Sequence, residues 1–174
     1  MLQYEGLIYE KLQGNIGFSN VYWRGVEGDF YALVMDLQGP CLASLFKFCD
    51  YHFDIKTILW IAIQMIQRVQ FLHENHIIHR DLKPENFLIG WGSKDANTLF
   101  LIDFGLSKRY KCPKTGEHIK QKTLQYPTGT LRYCSVNTQK CREQSRRDDL
   151  EGLGYVLLYF LKNGDLPWMN LGED

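Results

Sequence analysis

Two short stretches constrain this chain more than anything else in it: "HRDLKPEN" at residues 79–86 and "IDFG" at residues 102–105. Between them lie "FLIG" (Phe87–Gly90) and "LFLID" (Leu99–Asp103), two apolar runs separated by the polar "WGSKDANT". Such runs predict two short strands paired as a hairpin. In an antiparallel pair the start of the first strand lies opposite the end of the second. Asn86 precedes the first strand and Asp103 ends the second, so the two are predicted to face the same end of the hairpin although seventeen positions separate them. Any fold open to this chain must keep that loop–hairpin–loop unit intact.

The side chains gathered there suit phosphoryl transfer, which needs positioning and charge neutralisation more than covalent chemistry. Asp81 can orient an acceptor hydroxyl and take its proton. Lys83 can lie beside the moving phosphoryl group and offset its charge. Asn86 and Asp103 supply the oxygen ligands that Mg2+ accepts. A lone Asp-Phe-Gly is a common turn and means little by itself; the weight lies in its predicted meeting with the loop.

Around this unit the chain reads as a mixture of helices and short strands. "LQYEGLIYEKLQG" predicts a short helix stopped at Gly14. Val21–Gly25 and Phe30–Met35 predict a hairpin turning at Glu27, Gly28 and Asp29, and Gly39-Pro40 breaks the pattern. Asp54 is the expected cap of a long helix whose buried face is read as Ile55, Ile58, Leu59, Ala62, Met65, Ile66, Val69 and Leu72. Residues 107–147 carry no periodicity and predict a long functional loop or disorder. "DDLEGLGYVLLYFLKNG" predicts a second apolar helix, capped by Asp148 or Asp149 and stopped at Gly164.

A net charge of zero over 174 residues gives no general attraction to nucleic acid or to an acidic membrane. No apolar run is long enough to span a bilayer. Five cysteines, with no C-x-x-C pair, predict free thiols in a reduced compartment, the cytoplasm or the nucleus. His73 and His76 lack the spacing of a zinc helix.

The chain resembles the eukaryotic protein kinases, since "HRDLKPEN" matches H-R-D-L-x-x-x-N at every fixed position. More narrowly it resembles the casein kinase 1 family. "YEGLIYEKLQGNIGFSNVYWRGVEGDFYALVMDLQGPCLASLF", "LIDFGLSKRY" and "TGTLRYCSVNTQKCREQSRRDDLEGLGYVLLYFLKNGDLPW" carry the narrower likeness. Ser135-Val136-Asn137 stands where that family has Ser-Ile-Asn and most kinases have Ala-Pro-Glu.

The resemblance implies an α+β, two-lobe kinase fold, with residues 1–38 as part of the N-lobe and hinge and residues 39–174 as part of a mainly helical C-lobe. It implies ATP and Mg2+ as cofactors. In the ATP site it places Glu5, which pairs with a lysine in the family, the gatekeeper Met35, the hinge residues Asp36, Leu37 and Gln38, and Leu88 beneath the adenine. Tyr9, His79 and Phe104 would stack as a spine, and Asp149 would brace the catalytic loop. Arg132 and Lys108 match positions that hold a substrate anion, while Gln125 stands where the family has a base. The implied partners are protein substrates with acidic or phosphorylated residues near the target Ser or Thr, acted on by a monomer. The family's glycine-rich loop and V-A-I-K lysine do not occur in this sequence, so the expectation is a kinase domain truncated at both ends. Two other readings stay open: a non-catalytic kinase-like binding module, and a small-molecule phosphotransferase, which would not be expected to carry Lys83 together with Thr128–Tyr133.

Overall fold

A computed structural model of the chain describes residues 2–169. Its longest element is helix α3, Ile55–Glu74. The Asp54 carboxylate accepts a hydrogen bond from the Thr57 amide at 2.7 Å, satisfying one of the unpaired N–H groups of the first turn. The inward face carries Ile58, Ile61, Met65, Val69 and Leu72. Ile55, Leu59 and Ile66, expected on that face, are exposed, and Ala62 is half-buried. The rotation has a polar cause. Arg68 Nε donates to the Leu99 carbonyl at 2.9 Å, and the Leu99 amide donates to Gln64 Oε1 at 2.9 Å. These two interior side chains fasten α3 to the strand at Leu99 and set which face turns in.

Helix α6, Arg146–Leu161, packs against α3 and sends Leu153, Val156 and Phe160 into the core. Its cap is Ser145 rather than Asp148 or Asp149. Asp148 is the third residue of a capping box and accepts from the Ser145 amide at 2.7 Å. Asp149 is thereby left to turn inward. Gly164 ends the helix as expected, its amide donating to the Tyr159 carbonyl at 2.8 Å. Phe160 meets Phe46 of helix α2 (Leu42–Phe48) with ring centroids 5.0 Å apart, and Phe53 completes that aromatic knot.

Among the described residues three small antiparallel sheets complete a mixed α+β architecture. After helix α1, Leu2–Leu12, strands β1 (Val21–Glu27) and β2 (Phe30–Met35) form the first. Glu27 belongs to the strand, so the turn is only Gly28-Asp29; Gly28 sits at φ 59°, which the short hairpin turn requires. Gly39-Pro40 lies within strand β3, Gln38–Cys41, and interrupts its pairing: the register against the neighbouring strand shifts between Gln38 and Cys41. Pro40 is tolerated at this irregularity because β3 is the edge of a sheet ordered β3–β5–β6. In that sheet β5 is Phe87–Gly90 and β6 is Leu99–Leu101, with the one-turn helix α4 (Gly92–Asp95) between them. The second strand therefore stops two residues short of Asp103.

Residues 107–147 are neither disordered nor featureless. Strand β7 (Lys108–Arg109) pairs with β4 (Ile77–Ile78), and isolated bridges join Lys111 to His118 and Thr123 to Arg142. A 3-10 turn at Leu131–Tyr133 and helix α5 (Val136–Gln139) follow. Backbone bonds hold the segment, so it needs no apolar stripe, and periodicity had nothing to report. Among the described residues no helix is long and apolar enough to cross a membrane.

Candidate active site

Helix α6 positions the catalytic-loop residues from below. Asp149 is buried; its Oδ2 accepts from the His79 amide at 2.8 Å and from His73 Nε2 at 2.8 Å. Its Oδ1 accepts from the Arg80 amide at 2.9 Å. Arg80 lies at φ 72°, a conformation rare for a residue with a side chain, and these bonds hold it there. Burial pushes the His79 imidazole pKa down, so the ring is neutral. Its Nε2–H donates to the Ile102 carbonyl at 3.0 Å, leaving Nδ1 to accept from the Asp81 amide at 3.3 Å.

Asp81 is clamped from two sides. Lys83 Nζ donates to Oδ2 at 2.8 Å, while the Thr130 amide and hydroxyl both donate to Oδ1 at 2.7 Å. Burial acts to raise this carboxyl, but the bonds from Lys83 and Thr130 outweigh it and hold it below the usual carboxylate range. Burial likewise opposes the charge on Lys83, and the Asp81 carboxylate overcomes it, so the lysine is held above its usual range. A carboxylate fixed in this way can orient a hydroxyl and accept its proton. Gly129 brings Thr130 in at φ 100°, where an added Cβ would lie 2.3 Å from the Arg80 carbonyl oxygen. Gly129→Ala is expected to push Thr130 off Asp81 and lower turnover by about 10²-fold, as an ångström of misplacement does. Steady-state peptide phosphorylation measures this, and unchanged turnover would contradict the clamp.

The hairpin brings Asn86 and Asp103 together as the pairing predicts. The Ile102 amide donates to the Asn86 carbonyl at 3.0 Å, and Asp103 follows at φ 65°. Asn86 Nδ2 donates to the Asp81 carbonyl at 2.9 Å. Its amide oxygen accepts no hydrogen bond from the described residues, and among them no buried side-chain oxygen lacks a partner, so that oxygen is not fully buried. An accessible amide oxygen and a carboxylate at the same end of a hairpin suit a hard ion such as Mg2+, which keeps water and phosphate as its other ligands.

Glu5 meets the same turn. Its carboxylate accepts from the Phe104 amide at 3.1 Å, and burial together with the nearby Asp103 charge raises its pKa. The Asp103 amide donates to the Tyr9 hydroxyl at 3.0 Å. Phe104 lies between Tyr9 and His79, with centroids 4.8 and 5.5 Å away. At the hinge Met35 ends β2, and Asp36 accepts from the Asn20 amide at 2.7 Å. Leu37 is exposed, and Gln38 Nε2 donates to Ser19 at 3.0 Å. Leu88 sits in mid-sheet between Cys41 and Phe100.

The two expected anion-holding cations take different partners. Lys108 Nζ donates to the buried Glu143 carboxylate at 2.9 Å. Arg132 is exposed, its guanidinium 5.9 Å above the Tyr133 ring. Sequence reasoning missed Thr130 as a ligand of Asp81, although its Thr-Gly-Thr setting was in view. It also missed Glu143 and the bond from His73 to Asp149, for which no local pattern exists.

The family model described as the protein kinase domain matches residues 19–174. That match spans the Asp149-braced loop, the clamp on Asp81 and the Asn86–Asp103 turn. The chain belongs to the protein kinase domain family, whose members use Mg2+ and ATP to phosphorylate protein substrates.

Proposed function

We propose that this chain is a serine/threonine protein kinase of the casein kinase 1 type, with residues 1–38 and 39–174 as parts of its two lobes. The observation that carries the reading is the carboxylate of Asp81, held by Thr130 and Lys83 beside the Asn86–Asp103 turn. Met35, Asp36, Leu37, Gln38 and Leu88 border the adenine, and Glu5 stands next to Phe104 at the back of the ATP cleft. Asn86 and Asp103 would hold Mg2+, which when bound would supply charge neutralisation on the nucleotide phosphates. Asp81 orients the substrate hydroxyl and receives its proton. Lys83, already charged and bonded to Asp81, lies where it can offset charge on the transferred group.

The narrower assignment is supported by Ser135-Val136-Asn137, which caps α5: Ser135 Oγ accepts from the Thr138 amide at 3.1 Å and bonds Asp148 at 2.6 Å. Arg132 offers an exposed guanidinium to an acidic or phosphorylated substrate residue, and Lys108 joins it only on leaving Glu143. A panel of Ser peptides tests this, with phosphoserine, Asp or Lys placed upstream of the target. The phosphoserine and Asp peptides should be labelled faster than the Lys peptide, and Arg132→Glu should abolish the preference. Equal rates across the panel would remove the casein kinase 1 assignment and leave the kinase reading. A non-catalytic kinase-like module, the second reading, expects no labelling of any peptide.

A further inference from the structure

On the face of α3 and α6 that does not carry Asp81 lies an open groove of about 790 Å³. Its walls come from the last turns of α3, the first turn of α6 and the segment after β7. The floor is apolar, formed by Ile66, Leu150 and the Tyr110 ring. Three cations border it: Lys111, Arg146 and Arg147. Arg146 lies 4.8 Å above the Tyr110 ring centroid, which fixes its guanidinium over the floor. Lys111 makes no side-chain hydrogen bond among the described residues, and Arg147 is ion-paired with the buried Asp148 at 3.6 Å.

The imidazoles of His76 and His118 add to this rim, and His76 is held at φ 65°. Glu74 places one carboxylate on the same rim, where it accepts from Gln70 at 2.9 Å. A smaller cleft of about 240 Å³ continues the groove, sharing His118, Ser145 and Arg147, and there Glu143 is bonded to Lys108. The result is an elongated channel in which Lys111, Arg146 and Arg147 outnumber the lining carboxylates Glu74 and the Lys108-paired Glu143, along an apolar and aromatic floor. None of the residues assigned above to phosphoryl transfer lines it.

We infer that this groove docks an acidic peptide segment of a protein partner, a carboxylate-rich stretch carrying at least one large apolar side chain. Carboxylates meet Lys111, Arg146 and Arg147, and the apolar side chain covers Ile66 and Leu150 beside Tyr110. Charge complementarity favours this occupant, and the apolar floor favours a peptide over a sugar–phosphate backbone, which would leave Ile66 and Leu150 in water. The inference is independent of catalysis, because it concerns binding at a groove whose lining includes none of Asp81, Lys83, Asn86 and Asp103.

The test uses the whole chain and a fluorescein-labelled decapeptide of Glu and Asp with one benzoylphenylalanine and no Ser, Thr or Tyr, so that it cannot be a substrate. Anisotropy should report saturable binding that weakens with salt, and photolysis should place the adduct on residues 66, 110 or 150. The Lys-for-Glu version of the peptide should not bind. Lys111→Glu combined with Arg146→Glu should weaken binding roughly tenfold or more, while Lys47→Glu on α2 leaves it unchanged. The peptide arms need no variant and so do not depend on how the double variant folds. Equal binding of the Lys peptide, equally tight binding of a labelled single-stranded oligonucleotide, or an adduct at residues 128–133 overturns the inference. Because no phosphorylation is read, such a failure leaves the kinase reading untouched.

Discussion

Asp81→Asn is expected to lower turnover by about 10²–10⁴-fold, the contribution of a positioned general base. Asparagine still accepts the two bonds from Thr130, so the loop keeps its shape. What is lost is the group proposed to take the hydroxyl proton and the charge that holds Lys83 at 2.8 Å. The fall should be in kcat, with the KM for ATP little changed, because the Asp81 side chain bonds neither the hinge nor the Asn86–Asp103 turn; Asn86 bonds its backbone carbonyl, which the substitution keeps. Steady-state kinetics with an acidic Ser peptide decides it; a kcat within threefold of the parent enzyme would remove Asp81 from the reaction. The pH dependence has a definite sign. The folded carboxyl is held below its unfolded value of about 3.9, so its stabilising contribution is fully present above that value. That contribution is lost only as the pH falls through the lower folded value.

Asp149→Ala should give the largest loss of stability of any single change in the loop's support, about 3–5 kcal/mol, the usual result of removing one partner from a buried charged network. Three donors lose their acceptor together: the amides of His79 and Arg80, and His73 Nε2. The Arg80 backbone at φ 72° then has nothing to hold it. Asp149→Asn, which keeps one acceptor oxygen, should fall between the alanine variant and the parent. Urea unfolding followed by circular dichroism measures the series. A loss under about 1 kcal/mol for the alanine variant would mean that α6 does not brace the loop.

The hairpin, and with it the meeting of Asn86 and Asp103, was legible because strand pairing follows from local composition and antiparallel geometry. The N-terminus of α3 was legible at Asp54 for a similar reason, since a cap acts within one turn. Its inward face was misread because Gln64 and Arg68 occupy interior positions and bind Leu99, thirty-one or more residues away in the chain. The same limit explains Glu143, whose buried carboxylate is matched by Lys108 across the fold. Asp149 as the brace came only through family likeness, for nothing around it in the chain announces that it will turn inward while Asp148 joins the cap. Lys108 and Arg132 were expected to act together, yet their observed partners differ, because a basic position in a sequence says nothing about which carboxylate reaches it first.

The most direct test of this account is incorporation of labelled phosphate from ATP into an acidic Ser peptide, with and without Mg2+, by the protein and by Asp103→Asn. The account predicts metal-dependent labelling by the parent protein and loss of about 10²-fold or more in the variant, which keeps the turn but loses a ligand charge. Labelling by the variant equal to the parent, or labelling that persists without a divalent metal, would contradict the central claim that Asn86 and Asp103 form the metal-binding half of a kinase active site.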